Sequence, residues 1–155
     1  MARRNLPQHD GDMKLSEKGR FIAPPSLPAA AQLVADAIAG WEGVHPRTHW
    51  QLGEERVVDG ADFYYGEDEL GHIHLDAEAY IMLPSQLAAA LVRARVAHPL
   101  PWSTAAVVCP IESAADAETA IWLFGLSYAR RRGTSAAELI SQLRAALGRG
   151  DDRAL

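Results

Sequence analysis

Two histidines one residue apart, His72 and His74, open a stretch in which apolar and polar residues alternate. The odd positions Ile73, Leu75, Ala77, Ala79, Ile81 and Leu83 are apolar, whereas His72, His74, Asp76, Glu78 and Tyr80 between them are mostly polar. A period of two is the signature of a β-strand. Residues i and i+2 of a strand point the same way, so two imidazoles project side by side into one space. Imidazole titrates near neutral pH, which suits such a pair to proton transfer or to metal ligation. Glu69 precedes His72 by three residues, and strict alternation puts it on the opposite face. A bulge at Gly71 brings it round to the histidines. His98 stands in a later loop that can be carried over the same face.

His72, His74, His98 and Glu69 are therefore the candidate catalytic set, with the paired histidines as acid and base. The same four side chains are the candidate ligands of a divalent metal in the alternative reading, which requires three or four convergent donors. The plain structural alternative is that the histidines hydrogen-bond backbone and shape a polar sheet face. No His-Glu-x-x-His, no Walker loop and no Gly-x-Gly-x-x-Gly occurs. Tyr80, Trp102, Tyr65 and His49 are the candidate substrate contacts, with Trp50 nearby. Each aromatic among them serves equally well as ordinary core. Cys109 sits in an apolar strand with no base beside it, as a buried, inert thiol does. Arg130, Arg131 and Arg132 end a helix, where the helix dipole accounts for them.

The elements that must position these residues follow from the remaining pattern. The 155 residues suffice for one domain with a core, and the hydrophobic fraction of 48% argues against disorder. A net charge of -5 speaks against nucleic acid as a partner. Cys109 is the only cysteine, so no intramolecular disulfide forms. No stretch approaches a membrane span, and no apolar run follows Arg3 and Arg4 as in a secretory signal. The expectation is a cytoplasmic protein with a small molecule as partner and no membrane; a second copy of the chain, as in a homo-oligomer, stands open.

Residues 1–25 read as a flexible polar tail ending in Pro24-Pro25, residues 26–148 as the domain, and residues 149–155 as a frayed end. A first helix is expected over 28–39, with Ala30, Leu33, Val34, Ala37, Ile38 and Trp41 on one face and Gly40 at its end. Short strands follow at His49–Leu52, from Val57-Val58, and over Asp62-Phe63-Tyr64-Tyr65, with Gly53, Asp59-Gly60 and Gly66 as punctuation. The stretch 72–83 is long for one strand, so a hairpin turning at Asp76–Glu78 is preferred. Ser85 caps a helix over 86–95. Pro99 and Pro101 bracket a loop, and Ser103–Val108 reads as a buried strand. Ser113 with Asp116, and Ser135 with Glu138, open the last two helices. Ala120, Leu123, Phe124 and Ser127 face inward on the first of these, and Leu139, Ile140, Leu143 and Leu147 on the second. Strands come in a run rather than alternating with helices. The fold class is α+β, a single domain with an antiparallel sheet and helices packed mainly on one side.

The string Glu69-Leu70-Gly71-His72-Ile73-His74 resembles the Glu-Ile-Gly/Ala-His-x-His core of the fungal-luciferase-like domain family, which includes many bacterial proteins. Similarity continues through Ala97-His98-Pro99-Leu100 and Pro101-Trp102-Ser103, and Ala120–Tyr128 is similar to the family's final helix. Weaker similarity reaches back through Gly43-Val44, His49, Gly53 and Phe63. Asp68 replaces the family's usual basic residue before the glutamate, and Trp50-Gln51-Leu52-Gly53-Glu54 replaces its aromatic-Gly-Gly. The resemblance implies oxygenation of an enolic or aromatic small molecule with molecular oxygen and without flavin or metal. Glu69, His72, His74 or His98 would take the enol proton.

Overall fold

The computed structural model describes residues 13–51 and 57–151. The expected tail over residues 1–12, the turn at Gly53 and the last residues of the frayed end lie outside them. Among the described residues, six strands form one antiparallel sheet: β1 (Val44–Trp50), β2 (Val58–Tyr65), β3 (Asp68–His74), β4 (Glu78–Met82), β5 (His98–Leu100) and β6 (Ser103–Pro110). Their spatial order is β1-β2-β3-β4-β6-β5. Helices α1 (Ala29–Ala39), α2 (Ser85–Arg93), α3 (Ala114–Arg131) and α4 (Ala136–Asp151) complete the α+β domain.

One face of the sheet and the helices share a single core. Ile73, Ile81, Val107 and Cys109 from the strands pack with Leu87, Leu91, Leu123, Phe124, Leu139 and Leu143 from the helices. Phe63 meets Phe124 edge to face, with ring centroids 5.8 Å apart. The alternation read from 72–83 is what places these strand residues inward, and it survives the hairpin because both arms keep the same facing. The turn falls where expected: Ala77 N–H donates to the His74 carbonyl at 2.9 Å, and Asp76 Oδ1 accepts from Glu78 N–H at 3.0 Å. Ser113 and Ser135 cap α3 and α4 through the N–H groups of Asp116 and Glu138, each at 3.1 Å.

Several local expectations are corrected. Ser85 is the first residue of α2 rather than its cap, which is Pro84. The loop bracketed by prolines contains β5, a short edge strand. Asp59-Gly60 is no turn, because β2 runs straight through it. Leu33 is 60% exposed and Leu147 is 39% exposed; α1 instead buries Ala31, Val34, Ala35 and Ile38. The described part of the supposed tail lies against the sheet. A short 3₁₀ turn at Leu15–Lys18 sits over the β2–β3 turn, where Leu15 N–H donates to the Glu67 carbonyl at 3.1 Å. Further along, Thr48 Oγ1 donates to the carbonyls of Ile22 and Ala23 at 3.0 Å.

Two glycines let the strands of the site approach. Gly60 lies between His49 and His74 in the ladder, and a Cβ there would stand 2.0 Å from the Ile73 carbonyl oxygen. At Gly71 a Cβ would meet the Tyr80 carbonyl oxygen at 2.5 Å and Phe124 Cε1 at 2.7 Å. Neither neighbour can yield, since one is ladder backbone and the other a fully buried ring. Gly71→Ala is therefore expected to lower the unfolding free energy by at least about 2 kcal/mol, as overpacking of a tight core does. Urea denaturation followed by circular dichroism measures it.

Candidate active site

The second face of the sheet gathers the titratable side chains. Asp62 of β2 pairs in register with His72 of β3, which pairs with Tyr80 of β4. Directly paired residues of an antiparallel ladder share a face. Glu69 reaches the same face through a bulge. Phe63 pairs with Gly71 and Tyr64 with Glu69, so Leu70 is the extra residue. The bulge thus falls one residue before the glycine expected to carry it. Gly71 stays in the ladder under Phe124, while Leu70 turns its side chain into the core and its carbonyl accepts from Ser127 Oγ at 3.0 Å.

Two carboxylate–imidazole pairs result. Glu69 Oε1 lies 2.7 Å from His72 Nδ1, and Asp62 Oδ1 lies 2.7 Å from His49 Nδ1. Ionised carboxylates only accept, so each Nδ1 carries the hydrogen and each Nε2 is left to face other groups. The two imidazoles stack with centroids 4.1 Å apart and planes 10° apart. His74 joins them, 4.9 Å from His72 and 5.1 Å from His49. Lys18 Nζ, from the N-terminal segment, binds the other Asp62 oxygen and donates to the Thr48 carbonyl at 3.1 Å. Asp62 is fully buried, and the Lys18 side chain is only 4% exposed.

The group is open on its His74 side. The His74 side chain is 21% exposed, yet its Nε2 is buried and has no hydrogen-bond partner among the described residues. Burial first, and then neighbouring His49, hold its pKa below the ordinary 6.5. His74 is accordingly neutral at pH 7. The unfolded chain binds a proton that the folded site refuses as pH falls below about 6.5, so this part of the stability is present at neutral pH and lost on acidification. His74→Gln is expected to lessen the stability lost between about pH 7 and pH 5, measured by urea midpoints at each pH.

Tyr80 lies against His72 and His74, with centroids 5.1 and 4.6 Å away, and 6.0 Å from Trp102. Burial, followed by Glu78, pushes its hydroxyl up to about 12, so it stays a phenol and a donor. Beyond it Met82, Leu100, Ala106 and Val108 form a small apolar shelf on the same face. Cys109 is buried in the core facing the helices, and burial followed by Asp116 pushes its thiol up to about 11, as an inert thiol requires.

The structure brings together Glu69, His72, His74, His49, Tyr80 and Trp102 from the expected set. His49 is a member of the imidazole group rather than a peripheral contact. His98 is not brought in: it is exposed on β5, with β6 and β4 between it and β3. Tyr65 is not brought in either, because it packs edge to face on Tyr128, 5.4 Å away, on the helical side. Asp62 and Lys18 were not singled out from the sequence. A lone aspartate in the aromatic run 62–65 was the available signal for the first; nothing local marked the second.

Donor atoms of His49, His72 and His74 lie within 4.8 Å of one another, as do those of Asp62, Glu69 and His72. Imidazole lone pairs lie in the ring plane, and planes 10–21° apart aim them side by side rather than at one point. As they stand, the three imidazoles do not converge on one point, as a shared coordination sphere requires. No described helix is long and apolar enough to cross a membrane.

Comparison with curated proteins and with solved structures gives no match. A protein-family model described as Luciferase domain matches residues 67–127. That stretch runs from the β2–β3 turn into α3 and holds Glu69, His72, His74, Tyr80, His98 and Trp102, while Lys18, His49 and Asp62 lie before it. The resemblance drawn from Glu69 to Ser103 is thereby borne out: over residues 67–127 the chain is similar to a luciferase domain.

Proposed function

We propose that the polar sheet face is an acid/base site that deprotonates a small enolic or aromatic molecule and exposes the resulting anion to molecular oxygen. The observation that carries this reading is the pair of carboxylate-held imidazoles beside a neutral His74 whose buried Nε2 has no partner among the described residues. An unprotonated imidazole nitrogen held in place by a neighbouring carboxylate is what proton abstraction needs. Tyr80 and the exposed Trp102, backed by buried Leu100 and Val108, supply aromatic surface for a flat ring.

In the proposed reaction the His72–His74 pair takes the enol proton, with Nε2 of His72, whose ring hydrogen Glu69 holds on Nδ1, as the acceptor. The substrate carbon then forms a bond to oxygen, giving up the electron pair as O₂ is reduced to the peroxide level. The peroxide oxygen takes the proton back from the histidine pair, which leaves a hydroperoxide and neutral imidazoles. The Tyr80 hydroxyl supplies a hydrogen bond to the developing anion.

Oxygen uptake by the purified protein, offered a panel of enolic pyrones and hydroxylated aromatics, tests the proposal. The expected result is uptake with at least one of them, lost in a folded His72→Ala/His74→Ala variant. Binding of the same compounds without uptake would instead favour a ligand-binding domain.

A further inference from the structure

The matched family segment contains only one of the two carboxylate–imidazole pairs. The other depends on a residue far away in the chain. Lys18 stands at the end of the 3₁₀ turn and enters the site from the N-terminal segment. That segment is pinned on both sides of it: Ser16 donates to Glu67 Oε2 through its N–H at 3.0 Å and its hydroxyl at 2.8 Å, and Thr48 Oγ1 holds the carbonyls of Ile22 and Ala23. Lys18, Asp62 and His49 then form a chain of contacts in which Asp62 gives one oxygen to the ammonium and the other to His49 Nδ1. All three side chains are at most 4% exposed.

We infer that Lys18 is a positioning residue of the site: as counter-ion to Asp62 it lets that carboxylate orient His49 without making it an imidazolium. The inference rests on the acid/base reading of the face. A buried carboxylate without a cation beside it draws a proton onto a neighbouring imidazole, because ionised and neutral forms are separated by the local field. With the ammonium in place that demand is met, and His49 Nε2 stays unprotonated. His72 and His74 also face His49, at stacking distance. Glu69 is engaged with His72, and Asp59 lies 3.9 Å from His74, not against His49. Three imidazoles packed together favour neutrality, since a second positive ring costs energy against the first.

Long-range ¹H–¹⁵N spectra of histidine-labelled full-length protein at pH 7 test this without any substrate. In Lys18→Met the Nε2 resonance of His49 is expected to move from the unprotonated to the protonated range; His72, 4.0 Å from the same Asp62 oxygen but held by Glu69 at 2.7 Å, is expected to respond less. Lys18→Arg is expected to restore the neutral form. Lys18→Gln keeps a hydrogen bond to Asp62 without charge and is expected to behave as Lys18→Met, which covers the case in which methionine does not fold. A neutral His49 in the folded methionine or glutamine variant would overturn the inference, as would an arginine variant that protonates His49 like the other two. Failure of the oxygen-uptake screen leaves these spectra unchanged, so the two failures are told apart.

Discussion

Asp62→Asn is expected to lower the unfolding free energy by about 3 kcal/mol, more than any other isosteric change on the polar face. The cost does not come from lost volume. Asp62 is fully buried and joins Lys18 to His49. Asparagine is neutral, so the Lys18 ammonium would keep the Thr48 carbonyl but lose the carboxylate opposite it. Breaking a buried pair from one side is strongly destabilising because the remaining charge stays out of water. Urea denaturation measures the loss, and a second substitution separates its origin. Lys18→Met on the Asp62→Asn background is expected to recover part of the stability, because it removes the charge that the first change stranded. Equal or greater loss in the double variant would show that Asp62 stabilises the fold by other means.

Glu69→Gln is expected to lower turnover roughly 10²- to 10⁴-fold while leaving the fold intact. The carboxylate only accepts, which commits the hydrogen of His72 to Nδ1. A glutamine amide can also donate, and donation to Nδ1 moves the imidazole hydrogen to Nε2, where it blocks proton acceptance. Rates of oxygen uptake with any enol found by the screen report the effect. A variant that turns over like the parent would mean that His72 does not take part through Nε2.

Much of the site was legible in the sequence, for a definite reason. Period-two alternation from His72 to Met82 fixes which side chains share a face, and the face is independent of whether the stretch is one strand or a hairpin. His72, His74 and Tyr80 could therefore be grouped before any coordinates. Glu69 needed a bulge, and a glycine nearby suggested where. The bulge lies at Leu70 instead, since a side chain at 70 has a core to enter and one at 71 has no room. His98 shares the face, since it pairs with Val108, Val108 with Tyr80 and Tyr80 with His72, but as part of the edge strand β5 it has two whole strands between it and β3. Tyr65 follows from the same parity, since it alternates with Tyr64 and falls on the helical side.

Asp62 and Lys18 mark where sequence reasoning runs out. Asp59-Gly60 reads as a turn, yet Gly60 is the in-strand glycine that lets β3 approach, and β2 continues through it. Breaking β2 there hides the pairing of Asp62 with His72. Lys18 lies in a polar segment without periodicity, and only tertiary contact gives it a role. Contacts between residues so distant in the chain leave no local pattern to read.

The claim on which the rest depends is that two carboxylates hold the hydrogens of His49 and His72 on Nδ1 and that His74 is neutral. The wild-type ¹H–¹⁵N long-range spectrum of the histidine rings at pH 7 tests it most directly, with His49, His72 and His74 assigned by single substitution. The account predicts protonated Nδ1 and unprotonated Nε2 for His49 and His72, and one unprotonated nitrogen on His74. Hydrogen on Nε2 of His72, or a doubly protonated His74 at that pH, would contradict it.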